Sequence, residues 1–366
     1  MLNRTDRLRL GVDLTACWRP RVGMVTLAVE LARGMLEAAD LVLFASGARP
    51  PGLEQAKAEF VLSPHRHELW NKLSWLPRVE GRCGLDAMFY PYWPSPPRRS
   101  AAAPPCAIFV HDLAFRIQSE AVPWQQRLYL GKLLTPALRA AAVVMTPSHT
   151  TRQDLLEHFP LPGLERRVEV IYPGCSLTAV AARGVAPELG RGFILAVGSI
   201  ERRKNYRRLI EAYRRLKSPP PLVVVGRSGW GSSRLRRELE LEPGVKLLGH
   251  VDDATLRGLY QSAALLVFPS LYEGFGLPLL EAMAEGLPAV VSDAGSLAEV
   301  AGGAALLVDP LDPLSLADGM ERVLSDRQLA ARMTEAGRAR AAEFDWQSAS
   351  RRAFALLERL AAGRAA

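Results

Sequence analysis

The 366-residue chain has little of what several protein classes require. It holds four cysteines, Cys17, Cys83, Cys106 and Cys175, and none has another within two to four residues. That spacing excludes a zinc or iron–sulfur knuckle, and buried thiols in a reducing compartment are expected instead. The six histidines are scattered, without the spacing of a metal site. No apolar run approaches the ~18 residues that a membrane-spanning helix needs. Residues 1–10 alternate polar and apolar and contain no apolar block followed by a small-residue cleavage site. No signal peptide is therefore read, and a cytoplasmic location is expected, with peripheral attachment to an anionic inner membrane face left open. No aromatic-interleaved RNA motif, zinc finger or leucine zipper is present, so no nucleic-acid partner is expected. No Gly-x-Gly-x-x-Gly follows the first strand-like run, which speaks against a dinucleotide-dependent dehydrogenase.

What is present is an ordinary globular composition, 49% hydrophobic and 23% charged, at a length that suits two domains. The net charge is +8. Residues 1–185 carry 22 Lys and Arg against 16 Asp and Glu, leaving 24 against 22 in the remainder. The first half is the more basic one. A basic surface suits nucleic acid, an anionic membrane or a phosphorylated substrate; an arginine-rich proteome is the plainer alternative.

Short runs rich in Val, Ile and Leu recur along the chain, most of them apolar throughout rather than alternating. In the first half they are Leu8–Asp13, Ala39–Ala45, Ala87–Tyr90, Cys106–Val110, Ala142–Thr146 and Val168–Ile171. In the second they are Phe193–Val197, Pro221–Val225, Val245–Leu248, Leu265–Phe268, Ala289–Val291 and Ala305–Val308. Strands buried on both faces of a parallel sheet read this way. Helical patterns lie between them, among them Thr26–Ala38, Trp124–Ala141, Thr150–His158, Tyr206–Lys217, Asp253–Ser262 and Leu277–Glu285. The alternation predicts an α/β doubly wound architecture. Gly184, Pro187 and Gly190 mark Cys175–Gly192 as a linker between two Rossmann-like domains of about six strands each. Tyr90–Pro105, dense in Pro and Arg, reads as a surface excursion.

The most informative segment is Glu273-Gly-Phe-Gly-Leu-Pro-Leu-Leu-Glu281, which follows a strand and opens a helix. Gly274 and Gly276 permit close backbone approach to a ligand, and Pro278 suits the first helical turn. Exposed N–H groups and the helix dipole there favour an anion such as a diphosphate. Glu273 and Glu281 place one acceptor near the glycine loop and another about one turn deeper. A plain alternative is a helix cap and a solvated Glu. Upstream, Phe193–Val197 runs into Gly198 and Glu201-Arg-Arg-Lys204, cations at a strand's carboxyl end, where α/β folds bind ligands. There they can neutralise charge building on a departing diphosphate.

These segments resemble the signature of the retaining family 4 glycosyltransferases with the GT-B fold. Ile171-Tyr-Pro-Gly174, Val197-Gly-Ser-Ile-Glu-Arg-Arg-Lys-Asn205 and Leu247-Leu-Gly-His-Val-Asp252 are similar to further family segments, as are Val110-His-Asp-Leu-Ala-Phe115 and Thr146-Pro-Ser-His-Thr150. The branch they resemble most contains many mannosyltransferases. The resemblance implies two Rossmann-like domains facing each other across a cleft: an acceptor-binding domain at 1–182, a nucleotide-sugar domain at 183–345, and a helix at 346–366 that crosses back to the first. It implies that Glu273 contacts hydroxyls of the donor sugar, that Glu281 binds the nucleotide ribose, and that Gly274, Phe275, Gly276 and Leu277 touch sugar and phosphates. Lys204 with an adjacent Arg would hold the diphosphate. Many members carry Arg directly after the glycine, where this chain has Ser199. Arg203 supplies the guanidinium in the resembled branch, and the sequence leaves open whether Arg202 or Arg203 points inward.

His111 would lie at the sugar, whereas taken alone a strand-end histidine is more often structural. Gly23 occupies part of the family's glycine-rich loop near the donor phosphate and acceptor. Ser148 reaches a phosphate or the acceptor, or merely caps its helix. His250 and Val251 line the base pocket. The absence of any Asp-x-Asp triplet, the carboxylate pattern of metal-bridged sugar transferases, leads to the expectation of no metal and no other cofactor. The donor is GDP-mannose first and a UDP-hexose second. The acceptor is a glycan, a lipid-linked molecule or a small metabolite. The basic first half with Trp70, Trp75 and Trp93, read as exposed, hints at an anionic or membrane-associated acceptor. Two competing readings are a nucleotide-sugar epimerase of the same fold, which needs no acceptor, and a catalytically silent nucleotide-binding protein, which would neither transfer nor hydrolyse.

Overall fold

A computed structural model describes residues 7–18, 23–92, 95–96, 103–122, 124–185, 189–229 and 232–363. Among these residues thirteen strands fall into two sheets. The first contains β1 (Arg9–Leu14), β2 (Asp40–Ser46), β3 (Glu59–Ser63), β4 (Ala87–Tyr90), β5 (Cys106–Phe109), β6 (Val143–Thr146) and β7 (Val168–Val170). Their spatial order is β3-β2-β1-β4-β5-β6-β7, and every pairing is parallel. The second contains β8 (Ile194–Val197), β9 (Leu222–Val225), β10 (Val245–Gly249), β11 (Leu265–Phe268), β12 (Ala289–Ser292) and β13 (Leu306–Val308). They lie in the order β10-β9-β8-β11-β12-β13, again all parallel.

Both orders are doubly wound and Rossmann-like, and they reverse at one place in each sheet: between β1 and β4, and between β8 and β11. In such sheets the crevice beyond the carboxyl ends at the reversal is where ligands bind. The continuous apolar runs are explained by burial on both faces. Leu10, Val12, Leu43, Phe89 and Phe109 are buried in the first core, and Ile194, Ala196, Val224, Leu265 and Val267 in the second.

The chain forms two compact units. One comprises Met1–Arg116, Trp124–Gly174 and Asp345–Ala366; the other comprises Ile117–Pro123 and Cys175–Phe344. The division thus falls at Gly174/Cys175 rather than after residue 182. The stretch expected to be a linker is held by the second unit: Arg257 donates to the carbonyls of Thr178 and Val180, and Arg183 N–H donates to the Ala254 carbonyl. Residues 186–188 of that stretch lie outside the described residues.

In the first unit, Asp345 caps the helix Trp346–Ala361 by accepting from Ser348 N–H at 2.8 Å. Ala353, Leu356, Leu357 and Leu360 of this helix join the first core, and it packs on the helix Gly23–Met35. Approach is close because Gly34 has no side chain: a Cβ there would stand 2.2 Å from Ser350 Oγ.

Some expectations change. Among the described residues the first sheet has seven strands, where about six were expected. β3 has a weak signal because it is an edge strand whose apolar stretch is only Phe60-Val61-Leu62, none of them buried and Leu62 45% exposed. Trp75 is half-buried against Phe44, while Trp70 is exposed and Trp93 lies outside the described residues. Cys17 and Cys106 are buried, but Cys83 and Cys175 only half-buried. Of the supposed surface excursion, Pro91, Ser95 and Pro96 are buried, and 93–94 and 97–102 lie outside the described residues. Among the described residues no helix is long and apolar enough to cross a membrane.

Candidate functional site

The second sheet's reversal brings the two informative segments together. β8 delivers Gly198 to its carboxyl end and then a 3-10 turn, Arg202–Lys204. β11 delivers Tyr272 and Glu273 to the same edge, ahead of the helix Leu277–Glu285. Lys204 Nζ donates to Glu273 Oε1 at 2.6 Å, and Arg203 Nη1 donates to Glu273 Oε2 at 2.7 Å. Arg203 also donates to the Tyr272 carbonyl at 2.8 Å and to Glu201 Oε1 at 2.9 Å. Lys204 and Glu273 are each 8% exposed. Arg202 points elsewhere: its side chain is 71% exposed and pairs with Glu120 at 3.6 Å. The inward-facing arginine is therefore Arg203.

Local backbone holds this cluster still. Asn205 alone among the described non-glycine residues has a positive φ, 60°. Its amide repays that strain by donating to the Pro269 carbonyl at 3.0 Å and the Pro310 carbonyl at 2.7 Å, which ties the cationic turn to the loop after β11. Tyr206 OH donates to the Gly198 carbonyl at 2.8 Å. Gly198 lies under Lys204, whose Cε would be 3.1 Å from a Cβ at that position. The Lys204 ammonium also stands 4.8 Å from the Phe268 ring centroid, a cation–π distance. Glu273 is clamped from behind, its carbonyl accepting from Ser296 N–H and Oγ–H, both at 3.1 Å.

Burial by itself would raise the Glu273 carboxyl, but Arg203 and Lys204 more than offset it and hold its pKa down at about 2. Burial lowers the Lys204 ammonium, with Glu273 opposing. Glu281, one helical segment deeper, accepts from Tyr260 OH at 2.9 Å. Burial pushes its carboxyl up to about 7, against the Tyr260 hydrogen bond. Gly276, at φ 101°, starts the Leu277–Glu285 helix without a side-chain cap. Gly274 and Phe275 are buried, and the Phe275 ring packs edge-on against Phe344.

Beside β8, β9 and β10 lies a groove of about 550 Å³ lined by Ile200, Gly226, Arg227, Ser228, Gly249 and His250, among others. His250 is exposed and Val251 half-buried. Gly226 permits the groove floor, since a Cβ there would stand 1.9 Å from the Gly198 carbonyl oxygen. Ser199 is half-buried beside Gly198.

Three of the expected site residues belong to the first unit. His111 follows β5, and its Nε2 lies 2.7 Å from the Pro91 carbonyl, so that nitrogen carries the proton and donates. Burial lowers its pKa to about 4, which keeps the ring neutral near pH 7. Asp112 Oδ1 accepts from Ala114 N–H at 2.9 Å and so shapes the turn. Ser148 is fully buried as the N-cap of the helix His149–His158; its Oγ accepts from Thr151 N–H at 3.0 Å. Gly23 opens the helix Gly23–Met35 and is exposed, while 19–22 of its loop lie outside the described residues.

Sequence reading missed Tyr260, Asn205's anchoring role and Ser296. Tyr260 lies 21 residues from Glu281 on another helix, and no local pattern announces such a partner. Asn205 carried a signal, since Asn is one of the few residues besides Gly that adopt the left-handed conformation.

Two family models match the chain, together spanning most of it: "Glycosyltransferase Family 4" over residues 22–179 and "Glycosyl transferases group 1" over residues 183–340. The O-antigen chain mannosyltransferase B of Escherichia coli is 33% identical over 253 residues, 65% of this chain and 66% of that protein. A glycogen synthase of Mycobacterium tuberculosis is 32% identical over 220 residues, 58% of this chain and 52% of that protein. The matched stretches span from about half to two thirds of such curated relatives. Among solved structures, Anabaena HepE in complex with UDP-glucose superposes with a TM-score of 0.75 at 20% identity, over 96% of this chain and 99% of that one.

Proposed function

Because the chain belongs to family 4 of the glycosyltransferases, we propose that it transfers a hexose, mannose before others, from a nucleoside diphosphate sugar to an acceptor hydroxyl with retention at the anomeric carbon. The observation that carries this is the Glu273–Lys204–Arg203 cluster at the reversal of the second sheet. Two cations set beside a carboxylate suit a substrate whose leaving group is a diphosphate and whose neighbouring hydroxyls need an acceptor.

In this reading Lys204 and Arg203 receive the charge that develops as the anomeric carbon–oxygen bond breaks. Both are already held in place, so little reorganisation accompanies the reaction. Glu273 keeps lone pairs for sugar hydroxyls, because a carboxylate offers about four acceptor sites and these two cations take one on each oxygen. The helix Leu277–Glu285, with Gly274, Phe275, Gly276 and Leu277 at its entry, receives the phosphates. Glu281 takes the ribose, and the groove beside Gly226 and His250 takes the base. Neutral His111, from the first unit, bonds a sugar hydroxyl or stabilises positive charge at the anomeric carbon. The acceptor attacks on the face the diphosphate leaves, and its proton passes to the departing phosphate oxygen. The cations take the place of a bridging metal.

Mannose is favoured by the similarity to a mannosyltransferase. A UDP-hexose is the second reading, favoured by the fold neighbour solved with UDP-glucose. The deciding experiment follows nucleotide release from GDP-mannose and UDP-glucose, with and without EDTA. Faster release from GDP-mannose, unchanged by EDTA, is the expected result. Release from neither donor, or a strict need for a divalent ion, would overturn the proposal.

A further inference from the structure

The first sheet also reverses its order, between β1 and β4, and an ion pair lies buried at the carboxyl end of β1, where Asp13 is the last residue but one of the strand. Lys72 Nζ bonds Asp13 Oδ2, and both residues are 1% exposed. A buried pair of this kind is a poor source of stability, since apolar side chains of equal volume hold a core as well or better. Its partners indicate what it fixes instead. Lys72 Nζ donates to the Tyr92 carbonyl at 2.9 Å, at the start of the loop after β4. The adjacent Pro91 carbonyl accepts from His111 Nε2. Asp13 Oδ1 accepts from Thr15 N–H at 3.0 Å and Thr15 Oγ–H at 2.7 Å, at the start of the loop after β1. The Thr15 carbonyl accepts from Ser46 Oγ, which in turn accepts from Asn71 Nδ2 at 2.8 Å. Asn71 and Lys72 open a π-helical stretch, Asn71–Trp75, a geometry frequent at functional sites.

We propose that Lys72 is a positioning residue for transfer: together with Asp13 it fixes the loops after β1 and β4 and, through Pro91, the ring of His111. Three loops at one sheet edge are thereby set before substrate arrives. The effect on rate rests on the glycosyltransferase reading; the coupling of the loops does not.

The test is Asp13→Asn combined with Lys72→Met in the full chain. Asn keeps an oxygen for Thr15, Met keeps the volume, and no charge stays buried, so the tie to Tyr92 is lost selectively. Nucleotide release from GDP-mannose and UDP-glucose, with water as acceptor, should fall at least tenfold in kcat. Donor KM, and GDP and UDP affinity by calorimetry, should move less than twofold. The His111 ring, assigned by loss of its NMR signal in His111→Asn, should titrate above its wild-type midpoint, and amide exchange at 92 and 110–113 should quicken. A wild-type kcat, or an unchanged His111 titration, overturns the proposal. Should the double variant fail to fold, Ser46→Ala, which releases the Thr15 carbonyl and one Asn71 N–H but leaves the ion pair in place, must still lower kcat without raising donor KM; an unchanged kcat overturns the proposal equally. If the wild type neither binds GDP or UDP nor releases them from their sugars, the role in transfer falls with the glycosyltransferase reading, and exchange at 92 and 110–113 decides the loop coupling separately.

Discussion

Lys204 and Glu273, 69 residues apart in sequence, meet at 2.6 Å with almost no solvent around them. Replacing the lysine removes a preorganised cation and leaves Glu273 with Arg203 as its remaining partner of the two. Lys204→Ala should lower kcat about 10²- to 10³-fold. Nucleotide release under saturating donor measures this, and turnover near wild type would refute the role in charge stabilisation.

The same carboxyl should govern acid stability. The folded pKa of Glu273, about 2, lies below its ordinary value of 4.5, so its contribution is complete above pH 4.5 and disappears as pH falls toward 2. The shift corresponds to about 3 kcal/mol at most. Thermal melting between pH 5 and pH 2.5 should fall more steeply for the wild type than for Glu273→Gln. Parallel curves would show that the pair gives no such linkage.

Glu281 has the opposite sign. Its folded value of about 7 stands above 4.5, so the neutral form is favoured in the fold, and stability declines as pH rises from 4.5 to 7 before levelling off. A ribose hydroxyl donating to this carboxyl favours the ionised form. Nucleotide affinity should therefore rise through pH 7, with proton release on binding. Calorimetry in buffers of different ionisation enthalpy reads that release, which Glu281→Gln should abolish. An affinity flat from pH 5.5 to 8 in the wild type would remove Glu281 from the ribose.

Leu357 is fully buried where the helix Trp346–Ala361 joins the first core. Leu357→Ala should cost about 2–5 kcal/mol. Calorimetry should show the loss in the first unit's transition, with nucleotide affinity held by the second unit unchanged. A lost nucleotide affinity at intact melting temperature would contradict the division of labour.

Most of the architecture was legible because parallel strands buried on both faces leave continuous apolar runs, and five of the six strands of the second sheet announced themselves in that way, β10 being interrupted by Lys246. β3 did not, because its apolar stretch, Phe60-Val61-Leu62, is short, sits between Glu59 and Ser63 at a sheet edge, and has Leu62 facing solvent. Glu273 and Lys204 were legible as candidates from their places beside glycines after strands, but their pairing across 69 residues was not. Which arginine turns inward was not, since Arg202 and Arg203 differ only in what lies beside them, Glu120 for one and Glu273 for the other. The Asp13–Lys72 pair was invisible for the same reason: 59 residues separate the partners, and neither sits in a motif.

The return of the helix Trp346–Ala361 to the first core also sets an order of assembly. During synthesis the second unit's strands leave the ribosome before the first unit has all its parts, because Ala353, Leu356, Leu357 and Leu360 follow those strands in the chain. The amino-terminal half thus waits, with the apolar side of its Gly23–Met35 helix uncovered, until translation has passed residue 360. A helix that follows the second unit in the chain thus completes the first, against the usual vectorial order of domain folding.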